Sequence, residues 1–116
     1  MSDLETIKTA VKALDGKKAK DIKVIKIEDL SSLTNYFVLA SGSSSTQVKA
    51  LADEIEIKLR AVGLEPKRTE GYNGANWIVL DYIDVIFHIF HDETRDFYDL
   101  ERLWTDGEII PAEELI

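Results

Sequence analysis

The chain contains no cysteine. Disulfide staples, thiolate metal sites and a thiol nucleophile are therefore excluded. Histidine is also scarce, with two in 116 residues, so a histidine-rich metal site has few ligands to draw on. No apolar run approaches the ~20 residues that a membrane span requires. The first residues, MSDLETIKTAVK, lack the basic and apolar regions of a secretory signal, so a cytoplasmic location is expected. Positive charge is in deficit: 14 Lys and Arg stand against 22 Asp and Glu, giving a net charge of −8. Such a chain repels phosphate backbones, which disfavours direct DNA binding. It suits a basic protein partner, because long-range attraction raises the encounter rate.

The length fits one domain, read here as residues 1–107, with residues 108–116 as a loose acidic tail. Leu4, Ile7, Val11 and Leu14 recur at helical spacing, and Ser2 with Glu5 forms a capping box, so a first helix runs to about Gly16. Lys20–Glu28 reads as a strand whose apolar phase changes between Val24 and Ile25, the mark of a bulge or of two covered faces. Thr34–Ser41 is almost continuously apolar, as a central strand should be. Val48, Leu51, Ile55, Leu59 and Val62 make the stripe of a second helix, capped by Ser44 with Gln47 and stopped by Gly63. A short strand follows at Glu65–Glu70, then a hairpin of Ala75–Tyr82 and Asp84–His91, then a helix from Asp92 to Trp104. The order α-β-β-α-β-β-β-α packs most economically as an α/β domain. Its single mixed sheet of about five strands would carry helices mainly on one face.

Candidate chemistry is sparse. Gly42-Ser43 between a strand and a helix, followed by Glu54 and Glu56, imitates the signature of polymerase-beta-like nucleotidyltransferases. On a helix those two carboxylates point about 200° apart and cannot share one metal ion. Ser41–Ser45 has the glycine turn of a generic anion site but lacks the lysine of a phosphate loop, so a plain capped turn fits better. His88 and His91 are three apart, on opposite faces of a strand, so no shared metal is expected. No GxSxG elbow is present.

A recognition surface is the stronger candidate. Along Ala75–Tyr82, residues Ala75, Trp77, Val79 and Asp81 share one face, and Asn76, Ile78, Leu80 and Tyr82 the other. Both sets are apolar, so alternation alone leaves the inward face open. With Ile78 and Leu80 taken as core, Trp77 becomes an outward anchor beside Val79 and Asp81.

The stretch from Thr34 to Trp104 resembles the Iojap-like ribosomal silencing factor family. The resemblance is carried by Asp21, Ser41-Gly42-Ser43-Ser44, Gln47, Glu70-Gly71, Ala75-Asn76-Trp77-Ile78-Val79-Leu80-Asp81 and Asp84-Val85-Ile86-Phe87-His88-Ile89-Phe90. Arg95, Tyr98, Leu100, Glu101, Leu103 and Trp104 complete it. Two positions depart from the family pattern: Ile83 stands where glycine is frequent, and Asn76 where aspartate is common. The resemblance implies a nucleotidyltransferase-like fold without catalytic carboxylates, no cofactor, and no enzymatic activity. It implies a translation repressor that docks on a basic protein of the large ribosomal subunit, ribosomal protein fourteen, and blocks subunit joining. A homodimer of the free chain is compatible with it. The partner-binding set expected on this reading is Glu70, Trp77, Val79, Asp81, Asp84, His88 and Tyr98. The alternative is an inactive transferase-like domain holding a nucleotide or small anion at Gly42–Ser45.

Overall fold

The most apolar strand lies at the centre of the sheet, with every residue from Tyr36 to Gly42 buried. A computed structural model describes residues 2–28, 32–98 and 107–115. Its elements are α1 (Asp3–Gly16), β1 (Lys20–Lys26), β2 (Tyr36–Gly42), α2 (Ser45–Ala61), β3 (Arg68–Glu70), β4 (Trp77–Asp81), β5 (Val85–His91), α3 (Asp92–Tyr98), β6 (Glu108–Ile110) and a 3₁₀ turn (Ala112–Leu115). One mixed six-stranded sheet runs β3-β4-β5-β2-β1-β6. The β2–β5 pair is parallel, and the other neighbouring pairs are antiparallel. The α/β class and mixed sheet expected from the sequence are thus observed.

Both N-cap hydrogen bonds form. Ser2 Oγ accepts from Glu5 N at 3.2 Å, and Ser44 Oγ accepts from Gln47 N at 3.1 Å. The stripes of α1 and α2 bury Ile7, Val11, Leu14, Val48, Leu51, Ile55 and Leu59 against Val24, Val38, Ile78, Leu80, Phe87 and Ile89 of the sheet. This is the main core. The phase change in β1 comes from its two covered faces, and a bulge lies just before it. The register with β2 slips between Lys20 and Lys23, while Val24 faces the main core and Ile25 faces a second cluster.

That second cluster, on the other side of the sheet, comprises Ile25, Ile27, Phe37, Leu39, Ile86 and Phe90, with Trp77 and Val79 at its margin. The sheet face away from α1 and α2 is therefore less bare than the sequence suggests. Its open part is a strip along β4. At one end of this face Arg95 of α3 is buried and donates from Nη1 to Asp21 O at 2.6 Å and Ser41 Oγ at 2.9 Å. The arginine ties α3 to β1 and β2.

Two expectations need correction or delimiting. The acidic tail is not loose: β6 pairs with β1 through Val24–Ile110, Ile25–Ile109 and Lys26–Glu108, and Leu115 returns into the main core. Ile109 and Ile110 continue an apolar sheet edge that a count of acids conceals. The second half of the expected C-terminal helix, with Leu100, Glu101, Leu103 and Trp104, lies outside the described residues.

The β4–β5 turn shows what the Ile83 departure does. Asp84 N donates to Tyr82 O at 3.0 Å across Ile83, whose φ is +75°, which makes a γ-turn of the rare positive-φ form. A β-branched residue is strained there, and the side chain is 58% exposed, so it gains little from packing. Relief of roughly 1–2 kcal/mol is partly offset by the greater freedom of glycine in the unfolded chain. Ile83→Gly is expected to be more stable by about 0.5–1 kcal/mol, a rise of several degrees in a thermal melt. A lower melting temperature would show that the turn is not strained.

Candidate functional site

Cross-strand register places the candidate side chains in rows on the face away from α1 and α2. Glu70 pairs with Val79, Val79 with His88, and His88 with Leu39. The neighbouring row runs Arg68, Asp81, Ile86, Phe37. A pocket of about 270 Å³ opens between these rows, lined by Leu33, Phe37, Arg68, Glu70, Val79, Asp81, Ile86 and His88. One end is charged and the other apolar. At the charged end Arg68 lies 3.5 Å from Asp81 and 4.0 Å from Glu70. Arg68 and Glu70 have well-exposed side chains, so these ion pairs contribute little to stability.

Trp77 sits beside the pocket. Ile78 and Leu80 are fully buried, while Trp77, Val79 and Asp81 are half-buried, so β4 turns the faces as read from the sequence. Yet Trp77 is not a free-standing anchor. Its ring stacks on Phe90 with centroids 5.1 Å apart, and its indole N–H donates to His88 Nδ1 at 3.0 Å. His88 is 7% exposed and packs edge-on against Phe37 at 4.7 Å. Burial disfavours the charged imidazolium and lowers the His88 pKa to about 4. The imidazole is therefore neutral at neutral pH. Its Nε2 is covered and has no hydrogen-bond partner among the described residues.

The remaining expected partner-binding residues are dispersed. Asp84 lies at the β4–β5 turn and lines a different pocket, with Asp3, Thr6 and Glu65. Tyr98 closes α3, and its side chain lies outside the described ones. Sequence reasoning missed Phe37, Ile86 and Arg68. Alternation along β2 and β5 puts Phe37, Ile86 and His88 on one face and could have found the first two. Arg68 depends on the β3–β4 register, which no local signal reveals.

The alternative chemistries find little support in the geometry. Glu54 and Glu56 lie on α2 and turn to different neighbours. Glu54 approaches Lys17 at 3.6 Å and Lys58 at 3.7 Å, and Glu56 accepts from Thr69 Oγ1 at 3.2 Å. At the Gly42 turn, Ser43 N and Oγ both donate to Gln47 Oε1, at 2.7 and 3.0 Å, so the chain itself occupies donors an anion would use. No group of three metal-ligating side chains is found among the described residues.

Residues 1–115 match the family model described as "Ribosomal silencing factor during starvation". The chain belongs to this family. The ribosomal silencing factor of Halalkalibacterium halodurans is 37% identical over 116 residues, covering all of this chain and 99% of that protein. A crystal structure of a Chromobacterium violaceum protein superposes with a TM-score of 0.88 at 37% identity, covering 90% of this chain and 88% of that one. Mouse "Mitochondrial assembly of ribosomal large subunit protein 1" is 32% identical over 82% of this chain, which spans 43% of the mouse protein. Membership of the ribosomal silencing factor family makes this chain a protein of translation regulation.

Proposed function

We propose that this protein represses translation by docking on the large ribosomal subunit, through a basic surface of ribosomal protein fourteen, and standing where the small subunit must bind. The observation that carries this reading is the strip along β4. There a half-buried tryptophan stands beside a partly apolar pocket that an aliphatic residue and two acids line, in a chain of net charge −8. Aromatic anchors supply contact area, and the acids Glu70 and Asp81 favour a basic partner and quicken encounter. The name of the mouse relative, which speaks of the large subunit, supports the choice of subunit. No bond is made or broken on this reading; occupied volume suffices. The work is done in the cytoplasm, where a bacterial subunit pool resides.

The test is co-sedimentation with purified subunits. The chain is expected to travel with large subunits and not with small ones, and added salt should weaken the complex without abolishing it, since screening acts mainly on exposed charges. Equal binding to both subunits would overturn the reading. Trp77→Ala is expected to weaken large-subunit binding by about 2 kcal/mol or more, as central aromatic anchors do. Its stability should fall by a smaller amount, roughly 1–2 kcal/mol, because the ring is half-buried and stacked on Phe90. A melting temperature reduced as far as that of a fully buried aromatic truncation would mark Trp77 as core instead.

A further inference from the structure

We infer that the pocket beside His88 receives a main-chain carbonyl from the partner protein, flanked by a short apolar side chain; the inference rests on the docking face proposed above. An indole N–H only donates, so His88 Nδ1, 3.0 Å from Trp77 Nε1, must be the acceptor. In the neutral ring the proton then resides on Nε2. That N–H is buried and meets no partner among the described residues. Buried donors are almost always satisfied, and one left without an acceptor carries a desolvation cost that a ligand can remove. His88 lines the pocket while Trp77 does not, and the ring nitrogen not engaged by the indole is Nε2.

The surroundings select the kind of group. A cationic head offers only donors and cannot answer an N–H. A carboxylate would meet Glu70 and Asp81 at the rim, where the two acids outnumber and engage Arg68. A neutral carbonyl accepts the proton without opposing those acids, and the walls of Phe37, Val79 and Ile86 suit an adjoining methyl or isopropyl group. Nε2 is covered in the free protein, so the acceptor enters as a wall residue moves aside. Leu33, 68% exposed, is the apolar wall residue with least packing to give up. The hydrogen bond from Trp77 holds the imidazole in the tautomer and orientation that this requires.

Two experiments test the subsite separately from the function. In the first, the full-length protein labelled with nitrogen-15 is titrated with N-acetylalanine methylamide, acetate or methylammonium, and the His88 Nε2 and Trp77 indole signals are followed. The neutral amide is expected to shift Nε2, and the two ions to leave it in place. In the second, His88→Phe and Val79→Phe are assayed for binding to purified large subunits. The first removes the donor and the second fills the pocket while keeping the Trp77–His88 pair. Each is expected to bind about tenfold more weakly, the scale of one hydrogen bond. If His88→Phe fails to fold, Val79→Phe carries the result. Wild-type protein that ignores large subunits would defeat the proposed function, and the amide titration would still judge the pocket. Wild-type protein that binds subunits, with both variants binding equally well or with the amide leaving Nε2 unmoved, would overturn the inference.

Discussion

Gly71→Ala is expected to destabilise the protein by about 3 kcal/mol or more, the joint effect of a left-handed backbone and an overpacked contact. Gly71 follows β3 with φ +78°, a conformation that costs a side-chain-bearing residue free energy in its own right. A Cβ there would also collide with the carbonyl oxygen of Trp77 and stand 3.2 Å from its carbonyl carbon. Those are backbone atoms at the start of β4, so no rotamer change relieves the clash. The strand must move, and Trp77 moves with it. The variant should therefore lose both stability and large-subunit binding. Gly74→Ala is the control three residues on: its φ is not in the left-handed region, and its nearest neighbour is the Gly71 carbonyl oxygen at 4.0 Å. Chemical denaturation of both variants decides the matter. Equal stabilities would mean that β3 and β4 do not approach as closely as described.

Gly71 also shows where the sequence was readable and where it was not. The pair Glu70-Gly71 stands out as part of a family pattern, but the need for glycine comes from a strand six residues away folding back onto it. Local signals fared well. The capping residues Ser2 and Ser44, the buried run of β2 and the stripes of α1 and α2 depend on near neighbours, and they formed as read except at the stripe ends, where Leu4 and Val62 are exposed. Signals that depend on register fared less well. Arg68 enters the pocket only because β3 pairs with β4, and β6 exists only because Ile109 and Ile110 find the free edge of β1. The Trp77 face was assigned by taking Ile78 and Leu80 as core, and the structure buries both. What alternation could not supply was the partner of its indole. That the indole N–H is met by His88 requires β4 and β5 to be placed in register, Val79 opposite His88.

Mild acid is expected to weaken the fold, and His88 is the reason. Its pKa is about 4 in the folded chain because burial opposes the charged ring, against 6.5 for an ordinary histidine. The unfolded chain therefore binds the proton more readily. The stabilisation is fully present above pH 6.5, declines as the pH falls through 6.5, and is exhausted near pH 4. A gap of about 2.5 units at about 1.4 kcal/mol per unit amounts to roughly 3 kcal/mol. Asp81 and Glu70 face the same pocket, and the β2 residues beside the ring, Phe37 and Leu39, do not titrate. Those carboxylates and His91 are common to the wild type and a His88→Phe variant, so the difference between the two isolates His88. Chemical denaturation at pH 7.5, 6.0 and 5.0 is expected to give a falling stability, with a slope approaching 1.4 kcal/mol per pH unit at the lower end. His88→Phe has no ring proton to gain, so its stability should change much less over the same window. A wild-type protein as stable at pH 5 as at pH 7.5 would mean that the imidazole accepts a proton without unfolding. The Trp77 indole N–H would then face a ring N–H in place of an acceptor, and His88 would no longer be held in one tautomer.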